Sequence, residues 1–584
     1  MAILARRPSR GTSDAPAIFI PDLTARSALR ERAWNILPFA LSLFIISTIF
    51  WAPFYAPWAF AIGTLIFFTY WLLRSYGVAV ACAVGLRRIR RWQAVDWPAR
   101  YSQWRTKHPG APAWDWPRHM VIIPNYNESE EGLSRTIDSL AAQQNAEQLV
   151  VVMAMEARES GAEAKAARLI ARYRQSFGNM FATFHPAGLP GETPGKGSNE
   201  AWAAREARIY LIERRSHDIE RYTITSCDAD AVFHPRHFAA LNYLFLSNSD
   251  RYRTFWQPTI FNSNNIWDIP APLRIPDGLS GINRLSNLVM PGSVKFPTSC
   301  YSVSWKMLDE VDYWDEEVIP EDWHVYLKCC YTLGDRVHVE ALYLPLGNDC
   351  VLTDGYFKTL KAHYHQSVRH AWGASDIPYA WRAAVSQRSP LGVRRRLLLA
   401  GAVTKVHVMW AAQWYLVTLG ILLPARFAGA FGAPLPSWWT HRYPVPGPGW
   451  HPEQVVHPSR WFAFDSTGLV EPTMWVNLVG LLVAVCLLPL LAMILIETLT
   501  RPRRPEYVSR KAAAAQYTMW PLMAVITFFF ASLPAVHAQA KLARGRGLIY
   551  RVAEKGSRRV AVPQPAASVE PLPGDAVGAL GGGS

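Results

Sequence analysis

Cysteine is scarce in this chain. Seven in 584 residues, with Cys329 and Cys330 adjacent and no CxxC anywhere, exclude both a disulfide framework and a zinc-ribbon pattern and point to a reducing compartment for any chemistry. Charged residues are also few, at 18% against 50% hydrophobic, which excludes disorder for most of the length. Acidic residues fall short of basic ones, 45 against 60, leaving a net charge of +15. That surplus points to anionic partners, with nucleic acid, anionic lipid and a phosphate-bearing substrate as the candidates. The basic residues stand mainly beside long apolar runs, where lipid headgroups account for them and nucleic acid does not. A cleaved secretory leader is not indicated, because the mixed segment 1–32 precedes the first apolar run.

Long apolar runs, by contrast, are present. Residues 33–50 and 56–73 are almost wholly apolar, and each approaches the ~20 residues that cross a bilayer. Arg26, Arg30 and Arg32 precede them; Arg87, Arg88, Arg90, Arg91 and Lys107 follow. The positive-inside rule then places both flanks in the cytosol. The expected organisation is a cytosolic segment 1–32, two transmembrane helices within 33–80, a cytosolic domain of ordinary polarity over 95–390, interfacial and transmembrane helices over 391–540, and a basic tail, 541–584, with a disordered end. Apolar runs at 397–423, 473–498 and 517–540 would make five crossings. Lys541, Arg544, Arg546, Arg551, Lys555, Arg558 and Arg559 nevertheless mark the tail as cytosolic. The count therefore stays at four to six, and Pro521 and Pro534 allow the last run to fold back. The expected location is a multi-pass plasma (inner) membrane.

Within 95–390, HMVIIP (119–124), QLVVVMA (148–154) and YTITSC (222–227) read as buried strands. EEGLSRTIDSLAAQ and EAKAARLIARYRQ between them have helical spacing and composition. Strand alternating with helix predicts an α/β domain with a mostly parallel sheet, whose functional residues follow the strands.

Four clusters carry candidate chemistry. Pro124, Asn125, Tyr126, Asn127 and Glu128 follow the first strand, where backbone amides and the Tyr ring could hold a nucleotide; a plain turn into an acidic helix start would read the same. Asp228 and Asp230, two residues apart after a strand, can be aimed together at a hard divalent cation, Mg2+ or Mn2+, although an isolated Asp-x-Asp is usually a loop feature. Glu321 and Asp322 open an apolar helical pattern, where a carboxylate either complements the helix dipole or serves as a general base toward a hydroxyl. Gln366, Arg369, His370 and Trp372 form a polar and aromatic cluster before the membrane; an Arg there could grip phosphate and an aromatic could stack on a sugar. His363 and His365 have no neighbouring carboxylate or Cys to complete a metal site.

The order of these elements resembles the membrane-embedded family 2 glycosyltransferases, the group of cellulose, chitin and hyaluronan synthases, over about residues 33–555. The resemblance implies a GT-A-like nucleotide-sugar-binding cytosolic domain inserted between transmembrane helices. Pro124 to Glu128 would line the nucleotide. Asp228 and Asp230 match the DxD, and Asp322 with Glu321 matches the (T/E)ED that supplies the base. Gln366 and Arg369 match QxxR, which braces the diphosphate and the acceptor end. Lys196, in PGKGSN, resembles the basic nucleotide loop. Cys300, in FPTSCYSVSW, sits where these enzymes have an acceptor-binding strand, with a merely packed Cys as the alternative. Departures are visible too. MAMEARE lacks the second-strand Asp, leaving Glu156 as nearest candidate, and QxxRW reads QxxRH with Trp372 displaced. YRVAEKG (550–556) resembles the gating loop FxVTxKG with Tyr for Phe and Ala for Thr, which would bring Lys555 to the phosphates.

The function so implied is inverting, metal-dependent transfer from a nucleotide diphosphate sugar that elongates a polysaccharide and exports it. One rival is transfer of a single sugar to a lipid acceptor, as in ceramide glucosyltransferase-like enzymes. Another is a non-catalytic nucleotide-binding transporter or scaffold. Expected partners are the donor, a polysaccharide or lipid acceptor, membrane lipids, and an accessory export protein or further copies of the chain, with no nucleic acid.

Overall fold

The computed structural model describes residues 28–386, 389–430, 481–482 and 484–545. Two long helices, α1 (Ala28–Tyr55) and α2 (Pro57–Gln93), take up the first apolar runs, and α3 (Trp97–Thr106) follows, its start capped by the Asp96 side chain. The first half of the sheet domain alternates strand and helix: β1 (Arg118–Asn125), α4 (Glu130–Ala141), β2 (Leu149–Glu156), α5 (Ala162–Tyr173), β3 (Asn179–His185), α6 (Lys196–Ala207) and β4 (Tyr222–Ser226). Its second half runs β5 (Val232–Phe233), α7 (His237–Ser247), β6 (Thr254–Asn262), α8 (Arg274–Val289), β7 (Tyr301–Ser304), α9 (Trp305–Glu310), α10 (Glu321–Leu333) and β8 (His338–Asn348). Then come α11 (Tyr356–Ala371), α12 (Asp376–Val385), α13 (Val393–Ala430) and α14 (Leu487–Thr500). The helical run Arg510–Ala543, here α15, closes the described chain.

Eight strands form one sheet in the order β3-β2-β1-β4-β7-β6-β8-β5. β1 is parallel to β2 and β4, β2 to β3, and β6 to β8, whereas β7 runs antiparallel to β4 and β6 and β5 to β8. This is the mostly parallel α/β sheet that the alternation predicts. The apolar runs of β1 and β2 are continuous because both faces are covered, as parallel strands require. Met120, Ile122, Val150 and Val152 point to one face against Ala201 and Ala204 of α6. Val121, Ile123, Val151 and Met153 point to the other against Leu133 and Ile137 of α4. The parallel registers Asn125↔Met155 and Ile122↔Ser226 bring the carboxyl ends of β1, β2 and β4 to one side of the sheet.

Among the described residues, three helical runs are long and apolar enough to cross a membrane: Arg32–Ala52, Ile62–Gln93 and Arg510–Ala543. The first two are the predicted pair. α13 takes up the predicted run 397–423 as helix. α15 is one helical path despite Pro521 and Pro534, with a 3-10 segment at Gln516–Leu522 and a π segment at Phe528–Ser532 absorbing the breaks; the fold-back that the prolines allow does not occur. The predicted run 473–498 lies partly outside the described residues. A helix not expected from the sequence pattern, α8, packs Ile282, Leu285 and Leu288 against Val78, Cys82 and Ile89 of α2. It thereby fastens the sheet domain to a helix long and apolar enough to cross a membrane.

Candidate active site

A cavity of about 1430 Å³ opens at the carboxyl ends of β1, β2 and β4 and continues between α2, α8, α13 and α14. Pro124, Asn125, Tyr126 and Glu128 reach it from β1, and Glu156 from β2. Asp228 and Asp230 follow β4, Lys196 opens α6, Glu321 and Asp322 open α10, and Gln366, Arg369 and His370 face it from α11. Asn127 and Trp372, from the first and last of the four clusters, are not among its walls. Asn127 sits at φ 59° and its N–H donates to Glu159 Oε2 at 2.8 Å, a turn role. Trp372 is 8% exposed and packs with Ala411, Ala535 and Ala538, joining α11 to α13 and α15. The stack that faces the cavity is instead Trp323 on Phe296, with ring centroids 4.2 Å apart and planes at 14°. Lys555 and YRVAEKG lie outside the described residues.

The chemistry converges on Ser299, which no sequence motif singles out although it adjoins Cys300. Its backbone is left-handed, at φ 60°, an uncommon setting for a residue with a side chain. Held so, its N–H donates to Asp322 Oδ2 at 3.1 Å and its hydroxyl donates to Asp228 Oδ2. Its carbonyl accepts from Lys196 Nζ at 2.6 Å. Asn348, at the end of β8, donates to Asp228 Oδ2 at 3.2 Å and to Ser299 Oγ at 2.9 Å. The DxD and the candidate base are thereby fixed to one residue. Cys300 is fully buried, and its sulfur accepts from the Asp228 N–H at 3.2 Å; it supports the Asp228 backbone from below.

Lys196 occupies the centre of the acidic group. Its ammonium lies 2.8 Å from Asp228, 3.3 Å from Glu321 and 4.0 Å from Glu200. Burial alone would pull Lys196 down, but Asp228, Glu200 and Glu321 outweigh it and hold the ammonium well above its ordinary value. Burial, reinforced by the like charge of Glu321, pushes the Asp322 carboxyl up to about 7. A carboxylate so placed can accept a proton near neutrality. Burial likewise pushes Glu200 up to about 8, where it accepts from Ser226 Oγ at 2.6 Å. His370 is held down to about 3 by burial and by Arg369.

At the ends of β1 and β2, Arg158 ties two predicted residues together. Its guanidinium lies 4.2 Å from the Tyr126 ring centroid and its Nε 3.2 Å from Glu156. Asp230 Oδ2 accepts from the Asp349 N–H at 2.7 Å, and Asp349 pairs with Arg135 of α4 at 2.9 Å. Among the described residues no group of three or more His, Cys, Asp or Glu forms a metal-ligand set. Two hard carboxylates on one cavity wall nevertheless fit Mg2+ or Mn2+, ions that commonly take one or two protein carboxylates and complete their shell with phosphate oxygens and water.

The helix that carries Asp322 is anchored by a second histidine. His324, one residue beyond Trp323, has Nδ1 2.7 Å from Asp376 Oδ1 and Nε2 2.9 Å from Asp315 Oδ2. Lys328 meets Asp315 at 2.5 Å. Burial opposes its charge, yet Asp376 and Asp315 prevail and raise His324 to about 9. Both ring nitrogens then donate, linking α10 to the preceding loop and to the start of α12. His324→Gln is expected to lower kcat by about tenfold or more through a misplaced Asp322, with the KM for donor nearly unchanged; steady-state kinetics in neutral detergent checks this.

Comparison with known proteins bears on the same residues. Residues 223–443 match the family model described as Glycosyl transferase family group 2, a stretch that contains Asp228, Asp230, Asp322 and Arg369. No curated protein matches the sequence. Among solved structures, a mannosyltransferase from Pyrobaculum calidifontis, determined in complex with GDP-Man and Mn2+, is similar at 15% identity, with 78% of this chain and 99% of that one covered and a TM-score of 0.37.

Proposed function

We propose that the chain, of which residues 223–443 match the model of Glycosyl transferase family group 2, is a glycosyltransferase that moves a sugar, with inversion, from a nucleoside diphosphate to a hydroxyl of an acceptor held in the membrane. One observation carries this reading: a single cavity runs from the strand-end carboxylates into the walls of α2, α13 and α14. The base and phosphate moieties lie against Tyr126, Glu156 and Arg158. Asp322 takes the acceptor proton as the new bond forms at the anomeric carbon and the diphosphate departs from the opposite face. Lys196 and Arg369 offset the charge of the leaving group. A divalent cation held by Asp228 and Asp230 would supply further neutralisation of the diphosphate. The catalytic domain is cytosolic and the chain multi-pass, in keeping with the arginines that flank α1 and α2.

The aliphatic lining contributed by Leu397, Leu398, Leu487, Leu490 and Met493 favours a lipid-borne acceptor. Elongation and export of a polysaccharide is the second reading, favoured by the Trp323, Trp410 and Trp414 rings on the same cavity. Incubation of the purified chain with labelled nucleotide-sugar and a membrane lipid extract separates them: the first reading gives one glycolipid band, the second a ladder.

The acid limb of kcat/KM is expected near pH 7, because Asp322 must be deprotonated to act and its folded value is about 7. Turnover should fall about tenfold per pH unit below that point. The effect on stability has the opposite sign. Asp322 and Glu200 have folded values above their unfolded values of about 4. Their stabilising contribution is therefore full below pH 4 and is lost as pH rises through 7 to 8. A pH–rate profile with a limb at the ordinary carboxylate value would contradict the assignment.

A further inference from the structure

Arg158 and Lys196 stand among the carboxylates of the cavity and Lys295 and Arg369 line it as well, but on the walls from α2, α8 and α13 the charges are of one sign. Every carboxylate on its wall follows a strand or opens α10, whereas the walls from α2, α8 and α13 carry Arg74, Arg284 and Lys405. The hydrogen-bond and ring partners of these three cations are neutral groups. Lys405 Nζ lies over the Tyr70 ring at 4.8 Å. Tyr70 is one helical turn before Arg74, whose Nη2 donates to Asn283 Oδ1 at 3.0 Å. Next to Asn283, Arg284 donates to Asn262 Oδ1 at 3.1 Å and to Ser280 Oγ at 2.9 Å. The acid on that side is Asp277, which accepts from the Asn262 amide at 3.0 Å, lies 3.6 Å from His363 and also acts electrostatically on Arg284. The result is a basic rim carried by three helices. Beyond it the wall turns apolar, with Phe68, Trp71, Trp414, Leu490 and Met493.

Cations set among amides, hydroxyls and rings beside a membrane are costly unless an anion joins them. A hydrocarbon-lined compartment next to them suits an alkyl chain. Resting on the reading of this cavity as the acceptor route, we propose that Arg74, Arg284 and Lys405 form the head-group site of a hydroxyl-bearing acceptor lipid whose head group also carries a phosphate. The phosphate seats on the rim, the chains lie between α2, α13 and α14, and the hydroxyl extends toward Asp322. The competing account is that the three cations only touch bulk bilayer headgroups. A neutral polysaccharide would leave the rim without a counter-charge.

The test is a binding measurement without donor, so that its outcome is independent of whether sugar is transferred. The purified full chain in neutral detergent is titrated with dodecyl phosphate, dodecanol and inorganic phosphate, followed by tryptophan fluorescence, since Trp71 and Trp414 line the compartment. Dodecyl phosphate is expected to saturate one site and to bind at least about tenfold tighter than dodecanol, while inorganic phosphate does not saturate in the same range. Arg74→Gln and Arg284→Gln should each weaken dodecyl phosphate about fivefold to tenfold. Arg284→Lys should restore most of the affinity, and nucleoside diphosphate binding in all variants, the check on folding, should be unchanged. Equal affinity for dodecanol, or non-saturable binding, would overturn the head-group site in favour of bulk headgroup contact. Inorganic phosphate binding as tightly as dodecyl phosphate would make it a free-phosphate site. Displacement by an oligouronate would assign the rim to an acidic polysaccharide. Confirmed lipid binding with no sugar transfer would refute the proposed function and leave this site standing.

Discussion

Replacing Asp322 by Asn is expected to lower kcat by about a thousandfold while nucleoside diphosphate affinity, measured by calorimetry, changes by less than about twofold. The substitution keeps the shape of the side chain. Its amide oxygen can still accept from the Ser299 N–H, as Asp322 Oδ2 does at 3.1 Å, so the loop that carries Ser299 and the Asp228 contact stay in place. What is lost is the capacity to take a proton, together with the bond that Oδ1 accepts from the Trp323 N–H at 2.8 Å. Affinity falling in step with rate would instead make Asp322 a binding or structural residue, with the base elsewhere.

The second large effect is expected at the DxD. Asp230→Asn should reduce turnover by about a hundredfold, and removal of divalent ions with a chelator should abolish turnover of the unaltered chain until Mg2+ or Mn2+ is returned. Asp230 is suited to this test because an Asn oxygen can keep the 2.7 Å bond from the Asp349 N–H. The change thus removes charge with little disturbance of the backbone. Asp228 is less suited, since Lys196, Ser299 and Asn348 all converge on it. Full turnover after chelation would refute a role for the metal and leave Lys196 as the principal counter-charge to the diphosphate.

Part of this site is legible in the amino-acid sequence. β1, β2 and β4 are uninterrupted apolar runs because the parallel sheet is covered on both faces, and residues placed just after them read as a site from that pattern alone. β6 is not legible: Pro258 interrupts it where the register to β8 shifts, and a proline inside a run argues against a strand. α8 is hidden by Pro276, Gly278 and Gly281, which read as a loop. Those glycines serve packing instead. A Cβ at Gly278 would lie 2.7 Å from Glu497 of α14, and one at Gly281 would lie 2.9 Å from the Phe261 ring. Ser299, His324 and Asn348 are equally invisible, because their roles arise from loops and strand ends far apart in sequence. Trp372 shows the reverse error. Spacing brings it close to the QxxR motif, but its helix turns it into the contact with α13 and α15.

The central claim is a single displacement on a nucleotide-sugar with Asp322 as the base. It is tested most directly by supplying the purified chain with a panel of isotope-labelled nucleotide-sugars and a membrane lipid extract, and determining the anomeric configuration of the product by NMR. The account predicts transfer from at least one donor with the configuration inverted, and loss of that product in Asp322→Asn. Retained configuration, or undiminished product from the Asp322→Asn chain, would contradict it.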